Sequence, residues 1–250
     1  MNKFLPRSSY VSLLLITLAG FPTPSTASQA TTSAVVRVEQ VGGFVGPNVL
    51  TTRLPQVVLY TDGRTLASAN SDGDVRGMNE GLISKSAVKS EISLFAKVTK
   101  VPDGGWGLPP VADVPSTQIT FIHNGVKRVI NVYALGFKVD NAPSATNLAR
   151  SKLSQAINKL VALAGSKKIF QPTSYEVWSL AASSDPSPSP ISWPALIAPP
   201  HAGCNKVAAK PFLSQLKVAG STPWLLPDGT VERLNWRPVL PDEVACHRGV

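Results

Sequence analysis

The chain has 250 residues, 16% of them charged and 43% hydrophobic, with a formal net charge of +9. That apolar share excludes wholesale disorder, and the length suffices for one large or two small domains with a buried core. The prolines concentrate in the last third, which predicts a folded body followed by extended coverings.

Residues 1–30 read as a signal peptide. Lys3 and Arg7 form a basic start, and Val11 to Phe21 (VSLLLITLAGF) is an apolar run too short to span a bilayer comfortably. Small residues follow, with cleavage expected after Ala27 or Ala30. Phe21 stands where a lipobox would need Cys, so no lipid anchor is expected. The expectation is a secreted or cell-surface protein with no stable membrane span after cleavage. The remaining lysines and arginines are scattered, with short pairs at Lys127-Arg128 and Lys167-Lys168. These scattered charges read first as a solvated face; as a partner of an exported protein, an anionic cell wall or lipid surface is more available than nucleic acid.

The body is predicted over residues 31–182. Val35 to Val41 forms a strand ended by Gly42-Gly43, and Gln56 to Thr61 forms a second. The second is apolar on both faces (Val57, Val58, Leu59, Tyr60), as an inner strand would be. A two-residue loop at Asp62-Gly63 would pair Leu59 with Leu66 and Thr61 with Arg64. Asn70, Asp72 and Asp74 have calcium-loop spacing, but Val75 and Gly81 stand where that loop needs Gly and Glu. A solvated turn is expected there.

From about Asn79 to Lys100 the period becomes helical, with Val88, Ile92, Phe95, Ala96 and Thr99 on one face and Lys85, Lys89 and Lys97 largely off it. Trp106, alone on a Gly/Pro-rich connection, either covers the core edge or presents itself as a ligand-facing aromatic. Gln118 to Tyr133 forms a hairpin turning at Asn124-Gly125, pairing Ile119 with Ile130, Phe121 with Arg128 and His123 with Val126. Asn147 to Ala164 is a second helix, capped by Ser144 or Thr146 and ended by Gly165, and Tyr175 to Ala182 is a strand. The fold class is α+β, an antiparallel sheet of hairpins with both helices packed on one face.

Residues 183–250 read as a Pro-rich tail lying extended over the body, with Trp224 and Trp236 as packing anchors. Cys204 and Cys246 form an even pair, expected as a disulfide in an oxidising compartment. Closing that loop stabilises by roughly 4 kcal/mol in the chain-entropy model. His201 and His247 lie near the cysteines without metal-site spacing, so no metal and no cofactor is expected.

Three stretches resemble, as a set, an uncharacterised group of secreted or lipid-anchored actinobacterial proteins: GGFVGPNVLTTRLPQVVLYTDGRTL, GLPPVADVPSTQITFIHNGVKRVINVYALG and WRPVLPDEVAC. The resemblance implies export and a single-domain organisation and supplies no activity. Gly46 stands where the group more often has proline.

No nucleophile elbow, zinc-protease helix or phosphate-binding glycine loop is present. Asp242-Glu243 beside the cysteine are expected to mark a turn or to pair with Arg237. The expected function is therefore non-enzymatic binding of a macromolecule, with an anionic cell-wall polymer or another envelope protein as partner. The competing readings are a secreted hydrolase with an unrecognised site and an inhibitor of a secreted enzyme.

Overall fold

A computed structural model of the chain describes residues 32–46, 52–68, 77–165, 168–180, 189–193, 195, 197–200, 203–210 and 223–247. The leader and the Asn70–Asp74 turn lie outside the described residues. Six strands form the first sheet: β1 (Ala34–Val41), β2 (Val57–Tyr60), β3 (Arg64–Ser68), β4 (Met78–Leu82), β5 (Ser116–His123) and β6 (Val126–Tyr133). Their order is β4-β3-β2-β1-β5-β6, and every neighbouring pair is antiparallel. Helices α1 (Lys85–Val98) and α2 (Ser144–Ala164) cover one face, as the period of their apolar residues predicts. Alternate strand residues Val36, Val38, Val57, Leu59, Ile119 and Phe121 meet Phe95 of α1 and Leu153, Ile157 and Leu160 of α2 there.

The β5–β6 hairpin has the expected register, with Asn124 and Gly125 both at positive φ. The β2–β3 hairpin is one residue out. Its loop is Thr61-Asp62-Gly63, so Leu59 faces Thr65 and Val58 faces Leu66. Asp62 turns its carboxylate onto Arg64, accepting from the backbone N at 3.0 Å and from Nε at 2.8 Å, and so ends the ladder early. Gly63 is at φ +92°, and a Cβ there would lie 2.2 Å from the carbonyl oxygen of Ile83. Only glycine fits.

The first helix begins later than the sequence predicts, because Met78–Leu82 pairs with β3 and its outer edge is closed by residues 168–170. Ser84 then caps α1, accepting from the Ala87 backbone N at 3.2 Å. Gly81 lets α2 approach β4, since a Cβ would stand 2.1 Å from the Leu163 carbonyl oxygen. At the other end α2 starts at Ser144 behind Pro143 with no side-chain cap, and Thr146 donates instead to the Gly105 carbonyl at 3.3 Å.

A second sheet contains β7 (Ser174–Leu180), β8 (Ile191–Ser192), β9 (Cys204–Ala208), β10 (Trp224–Leu225) and β11 (Val231–Pro238), in the order β8-β10-β11-β7-β9. Thus the tail supplies four strands, which with Tyr175 and Val177 of β7 build a second apolar cluster where Trp193 and Trp224 pack edge to face at 5.4 Å. Both predicted anchors, Trp224 and Trp236, are buried. On the first sheet's helix-free face, Val58, Tyr60, Leu66 and Met78 form a third cluster with Leu54, Phe170 and Leu240.

Arg150, 2% exposed, holds the loops above α2 together without any carboxylate. Its Nε donates to Phe137 at 3.1 Å, Nη1 to Trp106 at 3.0 Å and Nη2 to Tyr133 at 2.9 Å and to Ala134, all backbone carbonyls. Burial lowers its pKa. Replacing it strands several buried acceptors, so Arg150→Met is expected to lower unfolding stability by about 3 kcal/mol. Urea denaturation checks this, and an unchanged midpoint would show that residues 104–107 and 133–139 hold themselves in place.

Candidate functional site

Two places in the described part concentrate charge. The first lies where the C-terminal turn at 241–243 meets both sheets. β1 is irregular between Ala34 and Val36 and alternates from there on, so Val36 and Val38 face the helices and Arg37 and Glu39 face the opposite way. Arg37 Nε binds Glu39 at 3.3 Å, Nη1 binds Asp242 at 3.2 Å and Nη2 binds Glu243. The Tyr60 hydroxyl donates to the other Asp242 oxygen at 2.9 Å. Glu243 also accepts from Arg237 Nη2 at 2.7 Å and from the Leu240 backbone N at 3.2 Å. Arg237 Nε in turn binds Glu176 at 2.7 Å, with both side chains fully buried. The second Glu176 oxygen accepts the backbone N–H of Cys246 at 2.8 Å.

A cleft of about 420 Å³ opens beside this network, lined by Thr32, Thr120, Lys127, Arg37, Asp242 and Glu243 among others. Paired carboxylates in a cleft are what an acid–base site needs. Here, however, both oxygens of Asp242, Glu243 and Glu176 already accept hydrogen bonds from the protein itself. Each carboxylate is thereby fixed in place by the protein's own donors, and the arrangement is that of a clamp. Burial alone would depress the Arg37 guanidinium, but Glu243, Glu39 and Asp242 outweigh it and raise its pKa. Burial, then the charge of Asp242, raises the Tyr60 phenol and keeps it neutral.

Cys204 and Cys246 are bonded, with Cα atoms 5.5 Å apart. The bridge sits directly beside the clamp through Cys246. Glu243 pairs with Arg237 as the sequence predicts, whereas Asp242 pairs with Arg37, a contact no local pattern announces. Trp106 is half-buried against the helix-side core, and its indole nitrogen is buried with no hydrogen-bond partner among the described residues. His123 ends β5 at the hairpin turn, and His201 lies outside the described residues. Among the described residues no group of three or more His, Cys, Asp or Glu could hold a metal ion, and no helix is long and apolar enough to cross a membrane.

The second concentration is the outer surface of the helices. α1 carries Lys85, Lys89 and Lys97 and α2 carries Lys152 and Lys159, all exposed. The only acid on either helix is Glu91, which is buried and binds Lys159 at 2.6 Å across the helix interface. Between the helices runs a trough of about 450 Å³ whose floor is Leu94, Val98 and Ala156 and whose rim is Lys97, Lys152, Gln155 and Lys159. The lysines of α1 are legible in the sequence as lying off the apolar face. The trough itself is not, though one signal was available: residues 144–164 contain no Asp or Glu.

No protein-family model matches the chain, no curated protein matches it and no solved structure matches it.

Two outcomes follow from the clamp. Glu176→Gln leaves the buried Arg237 guanidinium with Glu243 as its remaining charge partner, which is expected to lower stability by about 2–3 kcal/mol in urea denaturation; a loss below about 1 kcal/mol would sink the clamp reading. Burial also pushes the Tyr175 phenol from 10.0 up to about 12, and Tyr60 is raised likewise. Between pH 10 and 12 the unfolded chain loses these protons while the folded chain keeps them. Stability should therefore be unaffected by these phenols below pH 10 and fall above it by about 1.4 kcal/mol per pH unit per phenol. Tyr175→Phe should flatten that fall by one phenol's share, measured as the alkaline unfolding profile.

Proposed function

We propose that the protein is an exported, non-enzymatic binding protein of the cell envelope and that its ligand is an anionic cell-wall polymer. One observation carries this reading: the exposed charges of the helix layer are all positive, while the layer's single acid is turned inward. Such a one-signed surface attracts polyanions over a Debye length and speeds their capture. The leader-like start, the bridge between Cys204 and Cys246 and the resemblance to exported actinobacterial proteins support the extracellular setting.

Cosedimentation with protein-free bacterial cell walls tests the reading. The protein is expected to pellet with walls at low salt and to be released as salt rises from about 50 to about 200 mM, because bound counterions compete for the same charges. Walls stripped of phosphate-linked polymer by acid should retain little of it. Failure to pellet with intact walls at low salt, or equal retention on stripped walls, would overturn the proposal.

A further inference from the structure

We infer that the trough between α1 and α2 is the seat for one strand of a phosphodiester-linked polymer, gripped by Lys97, Lys152 and Lys159; this rests on the reading of the helix layer given above. Three features of the trough select that occupant. The first is charge. Three ammonium groups stand on the rim against one carboxylate, and neither Lys97 nor Lys152 has an ion-pair partner among the described residues.

The second is the kind of cation. The rim holds lysines and no arginine. An ammonium is a point charge on a flexible stem, which suits repeating phosphates in a loose register; a planar guanidinium would select a fixed bidentate geometry. The third is relief. Ala156 is only 4% exposed, and Leu94 and Val98 are half-buried, so the apolar atoms lie recessed beneath the lysines. A membrane-docking helix needs its apolar groups to protrude into the acyl boundary. A recessed apolar floor instead meets the carbon skeleton of a chain whose phosphates reach up to the rim.

Lys159 has a double part in this. Its Nζ is held at 2.6 Å by Glu91, whose side chain is 6% exposed, so one rim cation is fixed by a contact that also ties α2 to α1. Lys97 and Lys152 are free of that duty. They can be changed without unpairing a buried carboxylate.

The test uses inorganic polyphosphate as a soluble probe, with binding to the protein followed by calorimetry across a range of salt. The double variant Lys97→Gln/Lys152→Gln is expected to bind at least tenfold more weakly. Its log–log salt slope should be smaller by about 1.4, from roughly 0.7 per neutralised charge on a flexible single-stranded polyanion. Lys206→Gln/Lys210→Gln removes the same charge from the exposed surface at β9 and the residues after it, and should change the affinity less than twofold. Equal losses in the two double variants would overturn the seat, since net charge alone would then account for binding. If that happens while the unaltered protein still pellets with cell walls, the envelope reading stands without the trough. If the unaltered protein does not pellet, that reading itself falls. A loss confined to phosphatidylglycerol vesicles, with polyphosphate binding intact, would assign the surface to a membrane and overturn the proposal.

Discussion

Arg237 and Arg37, bridged by Glu243 and finished at either end by Glu176 and by Asp242, hold the two sheets in one arrangement. Taking such charges out of water costs several kcal/mol per ion, and the attraction between them repays this only when geometry and hydrogen bonding are complete. Nearly every site in the chain is filled: by the Tyr60 hydroxyl and by the backbone N–H groups of Leu240 and Cys246. One donor, Nη1 of Arg237, has no hydrogen-bond partner among the described residues. The apolar cluster beneath it, with Val58, Leu66, Phe170 and Leu240, supplies attraction without direction. The ionic chain supplies the direction.

The same logic divides the charges of the molecule. Four acids serve as ties: Glu91 joins the helices, Glu176 and Glu243 join the sheets, and Asp242 holds Tyr60 and Arg37. Arg150 is the cationic counterpart, spending its donors on backbone carbonyls of two loops. The lysines of α1 and α2 lie off the apolar faces of their helices and face water. The helix surface is one-signed because Glu91 is the one acid on either helix and it is turned inward, while exposed acids such as Asp62, Asp103, Asp140 and Asp228 stand on loops elsewhere.

Much of the first sheet was legible because its signals are local. Asn124-Gly125 sets a two-residue turn, so every pair of β5 and β6 follows from counting outward. The same counting failed at Asp62-Gly63, where a carboxylate recruited by Arg64 lengthened the loop by one residue and shifted the ladder. Strand β4 was hidden because Asn79, Glu80 and Gly81 carry no apolar alternation, and its place depends on contacts with β3 and with residues 168–170. In the tail, β8 and β10 are two residues each, too short to show any period. The Glu243–Arg237 pair spans six residues and was foreseeable. The Arg37 contacts with Asp242 and Glu243 span 205 and 206 positions, and nothing in either neighbourhood points to the other.

That span has a kinetic consequence. Contacts of very long sequence separation form late, because closing the intervening chain comes before any gain from the contact. As the polypeptide emerges from the ribosome, β1 exposes Arg37 with its two distal partners still unsynthesised. The latch therefore waits for Asp242 and Glu243, and until they are made the nascent chain lacks the tie that would lock β1 to β11.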